Sequence, residues 1–300
     1  MEKHSKKSVC CVCGPTAVGK TDVAIQLAES LDTEIISFDS RQFYRELPIG
    51  TAAPNDADLK RVKHNFILDR SIEEEVNAAS FATEALAKIE ALHQKFDTLI
   101  LVGGSGLYLK AITEGFDAIP QADPQYREEL RQELDLHGLA PLQKELALKD
   151  PEYHLEVDLN NPQRVIRALE VIRSTGKAFS SFRAQEKREL PFEVRYVGLQ
   201  LERSELYDRI NRRVGLMVAQ GLLEEAEAML AYKNHNALQT VGYKELFPYF
   251  EGQYPLEEAL DEIRKNSRRY AKRQMTWFRK LEAMEWFHPQ EIEKILHGYQ

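Results

Sequence analysis

The sequence predicts an α/β fold: a doubly wound parallel sheet interrupted by a helical insertion. Three observations predict it. Two short, continuous apolar runs, VCCVC and TLILV, each end in a glycine-rich loop, the mark of strands buried on both faces of a parallel sheet. Segments with helical spacing of apolar residues alternate with such strands. From about Pro120 to Gln185 the texture then changes to charged helical stretches punctuated by Pro and Gly.

Residues 8 to 31 read as strand, loop and helix, because VCCVCG ends in a loop and TDVAIQLAESL carries apolar residues at helical spacing. EIISF, residues 34 to 38, is a second strand. The stretch EEVNAASFATEALAKIEALHQKF is helical in period and runs into a third strand, Asp97 to Gly104. In the insertion, ADPQYREELRQELDLHG, LAPLQKELALKD and NNPQRVIRALEVIRSTG follow one another. The last has Asn161 as cap, Pro162 in the first turn and Gly176 as stop. Strand character returns at FEVRYVGLQL, residues 192 to 201. The organisation expected is a core of residues 1–119 and 188–300, with 120–187 as a helical insertion domain.

At 300 residues the chain has ample length for a core, and 43% hydrophobic with 29% charged residues is an ordinary globular balance. No apolar run approaches the roughly 20 residues of a membrane-spanning helix. Val9 to Cys13 is too short for a signal-peptide core, and the three cysteines, Cys10, Cys11 and Cys13, lack partners for a disulfide framework or metal site. They read as small core residues, and a cytoplasmic protein is expected. A net charge of −8 argues at first sight against a nucleic-acid partner.

Gly14-Pro15-Thr16-Ala17-Val18-Gly19-Lys20-Thr21 matches G-x-x-x-x-G-K-[ST] in full, between a strand and a helix. Its backbone amides can converge on phosphate oxygens, Lys20 supplies a cation, and the Thr21 hydroxyl can ligate Mg²⁺. The core is therefore expected to be of the P-loop nucleoside-triphosphate-hydrolase-like kind. A nucleoside triphosphate is the default occupant. Yet the third strand ends in VGGSG where a nucleotide hydrolase usually places a metal-holding aspartate, and Asp97 stands at its other end. Asp39 closes the second strand at the carboxyl edge of the sheet, where it should share a crevice with Lys20. There it could hold Mg²⁺ or take a proton, or simply cap a turn. Gly103-Gly104-Ser105-Gly106 brings a hydroxyl and backbone amides to the same edge.

GPTAVGKT, ISFDSRQFY with IGTAAP after it, LVGGSGLYLKA, NNPQRVIRALEV, VGYKE and AKRQMTWFRK together resemble the tRNA dimethylallyltransferase (tRNA isopentenyltransferase) family of bacteria. The resemblance spans residues 14 to about 280, with the motifs in order. It implies transfer of a dimethylallyl group from dimethylallyl diphosphate to the N6 amine of adenosine 37, beside the anticodon of tRNA. Gly14 to Thr21 would cradle the diphosphate, with Mg²⁺ at Thr21. Asp39 would accept the N6 proton. Lys20, Ser105 and Arg213 would stabilise the departing diphosphate. Contacts to the tRNA anticodon stem-loop would come from Asp39, Ser40, Arg41 and Gln42, from Ser105 and Arg127, and from Gln163, Arg164, Val165, Ile166 and Arg167. Gln239, Thr240, Val241, Gly242, Tyr243 and Lys244 complete that set. Ser105 stands where the family usually has threonine and Ala53 where it commonly has lysine, and no C-terminal zinc-finger cysteines are present.

A target adenine must leave the anticodon-loop stack to reach a buried base, so a channel through the core, with the insertion gripping RNA outside it, is expected. The enzyme alternative is a small-molecule or nucleoside kinase with ATP in the loop and Asp39 as base. A non-catalytic RNA-binding module is the alternative of another class. Between Glu262 and Lys280 lie eight basic residues against one acid, +7 in nineteen residues, leaving −15 for the remainder. Interleaved with Tyr270, Trp277 and Phe278, this stretch reads as a phosphate-tracking stripe. A monomer is expected.

Overall fold

Cys10, Cys11, Val12 and Cys13 are fully buried, and in the computed structural model they form the middle of a parallel sheet. The structure describes residues 7–117, 119–183 and 188–298; the basic run at residues 1–6 lies outside the described residues. The strands are β1 (Ser8–Cys13), β2 (Ile35–Ser37), β3 (His64–Asn65), β4 (Thr98–Gly103), β5 (Glu193–Leu199) and β6 (Met284–Phe287). They pair in the order β3-β2-β4-β1-β5-β6, every pair parallel. Four match the strands expected from sequence to within two residues at each end; β3 and β6, at the two edges, are additional.

Helices α1 (Lys20–Ser30), α2 (Asp56–Arg61), α3 (Ala78–Leu92) and α4 (Gly106–Thr113) intersperse the first four strands. The period-two alternation of β1 divides its side chains between two faces. Val9, Cys11 and Cys13 pack with α3 and α4 through Phe81, Ala85, Ile89 and Ile112. Cys10 and Val12 pack on the other side with α1 through Ala24, Ile25 and Ala28. The thiols are core atoms: burial, then the neighbouring cysteines, push Cys11 well above its ordinary pKa.

The chain divides into two compact units, one of Met1–Thr113 with Glu189–Gln300 and one of Glu114–Arg188. The second consists of α5 (Pro124–His137), α6 (Ala140–Lys149), α7 (Pro151–Glu156) and α8 (Pro162–Thr175) around a core of Leu130, Leu142, Leu146, Val165, Leu169 and Ile172. α8 begins where Asn161 accepts from the Arg164 amide, has Pro162 in its first turn, and stops at Gly176 in the left-handed region.

The first unit continues with α9 (Arg203–Ala219), α10 (Leu222–Ala228), α11 (Tyr243–Phe250), α12 (Leu256–Phe278) and α13 (Ile292–His297). The first half of α12 packs through Leu260 and Ile263 against α10 and α11. Its second half reaches the sheet, with Ala271 on one face and Phe278 on the other. Among the described residues no helix is long and apolar enough to cross a membrane.

Candidate active site

The carboxyl ends of β1, β2 and β4 open on a cavity of about 920 Å³ within the first unit. This is where ligands bind in open α/β sheets, because the loops leaving the strands diverge there. Thr16, Ala17, Gly19, Lys20 and Thr21 line it from the phosphate loop, and Asp39, Ser40, Arg41 and Gln42 from the loop after β2. Arg209 and Arg213 come from α9, Tyr270, Arg273 and Gln274 from α12, and Gln239, Thr240, Val241, Gly242 and Lys244 from the segment before and at the start of α11.

Lys20 donates to the Pro15 carbonyl at 2.8 Å, which folds the ammonium back over its own loop. Burial pushes its pKa down to about 8; Asp39 opposes that shift and Arg213 adds to it. Arg213 donates to the Thr16 hydroxyl at 3.2 Å. Burial lowers it as well, with Asp39 again opposing. Two cations thus stand in low-dielectric surroundings with a single carboxylate facing both, a local excess of positive charge that an anion would relieve. Asp39 accepts the Arg41 amide at 3.1 Å, so it caps its own turn while lining the cavity.

Ser105 lies just behind the cavity wall. It accepts the Ser40 amide at 2.9 Å and donates to the Ser40 hydroxyl at 3.0 Å, tying the glycine-rich turn to the Asp39 loop. Its proton is directed to Ser40. Thr21, Asp22 and Asp39 line the same cavity. Hard oxygen donors of this kind, few in number, fit a Mg²⁺ ion that keeps waters and takes substrate phosphate oxygens as its remaining ligands.

Other residues singled out from sequence serve the interior. Gly14, Pro15 and Val18 are buried beneath the loop. Tyr243 is buried and donates to Glu225 at 2.6 Å. Val165 and Ile166 belong to the core of the helical unit, because the buried face of α8 must be apolar; their side chains are therefore not available to a partner. On the outer side of α8, Gln163 and Arg164 are exposed. Arg127 and Arg167 both bind the buried Glu170, at 2.7 and 2.6 Å. That cluster keeps one net positive charge, with both guanidinium groups partly accessible.

Residues 42–281 match the family model described as IPP transferase. The chain belongs to the IPP transferase family. It is 48% identical over 294 residues, 98% of each chain, to "tRNA dimethylallyltransferase 1" of Bacteroides fragilis. It is 49% identical over 288 residues to the tRNA dimethylallyltransferase of Christiangramia forsetii, covering 96% of this chain and 95% of that one. Among solved structures, the tRNA isopentenylpyrophosphate transferase of Bacillus halodurans superposes with a TM-score of 0.71 at 38% identity, over 97% of this chain and 94% of that one. A eukaryotic dimethylallyltransferase described as acting on tRNA gives a TM-score of 0.72 at 26% identity, over 90% of this chain and 69% of that one.

Two residues of the IPP transferase cavity stand in stretches singled out from the sequence, Tyr270 in the basic stripe and Gln274 in AKRQMTWFRK, but without a place at the site. Tyr270 is pushed well above an ordinary phenol, first by burial and then by the Asp39 carboxylate, so its hydroxyl is a protonated donor at neutral pH. Gln274 is buried and bonded to two loops at once. Both lie in the basic stretch, where a charge count draws the eye to their neighbours; their four-residue spacing puts them on one face of α12.

Proposed function

We propose that this protein transfers a dimethylallyl group from dimethylallyl diphosphate to the N6 amine of adenosine 37 in tRNA and releases diphosphate. The observation that carries the proposal is the convergence of Lys20, Arg213 and the phosphate loop with the Asp39 carboxylate on a single cavity, in a chain of this family. The exocyclic amine of adenine is a weak nucleophile, because its lone pair is delocalised into the ring. Two effects make it react: removal of its proton and stabilisation of the leaving group.

The N6–C bond forms as the allylic C–O bond breaks, the electron pair of that bond leaves with the diphosphate, and the N6 proton passes to Asp39. Lys20, Arg213 and the amides of the phosphate loop receive the charge that develops on the diphosphate. Mg²⁺ held by Thr21 would supply further charge neutralisation there. Tyr270, protonated near Asp39 and hydrogen-bonded to Ser105, holds a phenol at the same edge of the cavity. Of the residues proposed to meet RNA, Gln163, Arg164, Arg127 and Arg167 supply polar and cationic groups for phosphates, and Ser40, Arg41 and Lys244 stand at the cavity.

Incubating the protein with labelled dimethylallyl diphosphate and unmodified tRNA should place the label on adenosine 37. In the same assay Asp39→Asn should lower turnover by about 10²-fold or more and leave tRNA affinity within a few-fold. Label passing from ATP to a small acceptor, with none on RNA, would overturn the proposal.

A further inference from the structure

We propose that Gln274 is a positioning residue for the diphosphate: its side-chain amide joins the phosphate loop to the glycine-rich turn that carries Ser105 and holds both in the shape that receives the leaving group. The proposal rests on the reading above that this cavity takes a diphosphate.

Gln274 is 6% exposed. Its Oε1 accepts the Thr16 amide at 2.8 Å and its Nε2 donates to the Gly104 carbonyl at 3.0 Å. The approach to the second loop is so close that a Cβ on Gly104 would lie 2.2 Å from Nε2, so only glycine leaves room for the amide. Thr16 is thereby held twice, by Gln274 at its backbone and by Arg213 at its hydroxyl. The bond engages the phosphate loop at Thr16, the first of its residues, with Ala17, Gly19, Lys20 and Thr21, to line the cavity. The turn on the other side carries Ser105, whose hydroxyl is bonded to Ser40 next to Asp39. One side chain on α12 therefore sets the spacing between the group that binds diphosphate and the loop that leads to the base.

A primary amide is required because both ends are used. It presents one acceptor and two donors on a single planar group, whereas a carboxylate of the same shape has no proton for Gly104 and a thioether of the same length has neither. Unpaired, the half-buried Thr16 N–H and the buried Gly104 C=O would draw the loops out of register.

The test uses the full chain with inorganic pyrophosphate as probe. In Gln274→Met and Gln274→Glu, pyrophosphate affinity should fall about tenfold or more, the KM for dimethylallyl diphosphate should rise in parallel, and the Kd for tRNA should stay within about twofold. Gly104→Ala, which puts a methyl group where Nε2 stands, should reproduce the loss. The double variant Gln274→Ala/Gly104→Ala should then lose no more than Gln274→Ala alone. Wild-type pyrophosphate affinity in a Gln274 variant, an additive cycle, or an equal loss of tRNA affinity would each overturn the proposal. A wild-type protein that binds pyrophosphate yet prenylates no tRNA would instead refute the functional reading, with the pyrophosphate comparison still deciding the role of Gln274.

Discussion

Lys20 is charged only part of the time near neutral to mildly alkaline pH, because burial outweighs the attraction of Asp39 and holds its pKa at about 8. The cationic form is the one that binds phosphate, and a bound diphosphate stabilises it. Affinity for the diphosphate donor should accordingly be flat, as far as this group is concerned, below about pH 7. Above pH 8 it should fall by up to about tenfold per unit as the free protein loses the proton. In Lys20→Arg the guanidinium keeps its charge throughout this range, so KM for dimethylallyl diphosphate measured from pH 7 to 9.5 should lose that slope. The same slope in both proteins would assign it to another group. Lys20, Thr21 and Asp39 were legible in the sequence because their chemistry sits in contiguous motifs after apolar strands. Gln274 falls within the AKRQMTWFRK motif, but its contacts were not legible: its partners, Thr16 and Gly104, are 258 and 170 residues away, and a glutamine in a basic helix carries no local mark of what it touches.

The loop from Gly50 to Pro54 lines the cavity, and a single carboxylate anchors its beginning. Glu225 on α10 accepts the amides of Ile49 and Gly50 at 2.8 and 2.7 Å and the Tyr243 hydroxyl at 2.6 Å. Gly50 has no alternative here, since a Cβ would lie 2.4 Å from the Tyr243 oxygen. From the other side Gln42 donates to the Ala52 carbonyl at 2.8 Å, so this residue, expected at the RNA, shapes the loop as well. Glu225→Gln keeps one acceptor oxygen and turns an NH₂ group toward donors. It should cost about 1–3 kcal/mol of stability, read as a lower unfolding midpoint, and weaken substrate binding through the loop. An unchanged midpoint would mean that water replaces the lost bonds. The loop's glycine was visible in the sequence, but the carboxylate that holds it was not, being 175 residues away from Gly50. Edge strands were hidden for a different reason. β3 is two residues long, and β6, MEWF, has one buried position, so neither shows the continuous apolar run that revealed β1 and β4.

Charge over the whole molecule is distributed more narrowly than the basic count of α12 implies. Arg264 pairs with Glu257 and Asp261, and Lys265 with Glu262, so acids on the same helix neutralise the start of the stretch. Among the described residues, Lys272, Arg273, Arg279 and Lys280 make no ion pair. Lys272, Arg273 and Lys280 line a small cavity of about 220 Å³ with Thr276 and Trp277. A chain of net charge −8 can therefore meet an RNA backbone at localised basic patches, this one among them, while the net negative charge of the rest disfavours other orientations of approach. If this patch tracks phosphates, the logarithm of tRNA affinity should fall linearly with the logarithm of salt concentration. Lys272→Ala/Lys280→Ala should reduce the magnitude of that slope by about 1.5, since each phosphate contact contributes roughly 0.7 to 0.9. Arg264→Ala/Lys265→Ala removes the same formal charge from the pre-neutralised turn and should leave the slope nearly unchanged. Equal effects of the two double variants in a salt titration of tRNA binding would show that net charge, rather than the patch, governs association.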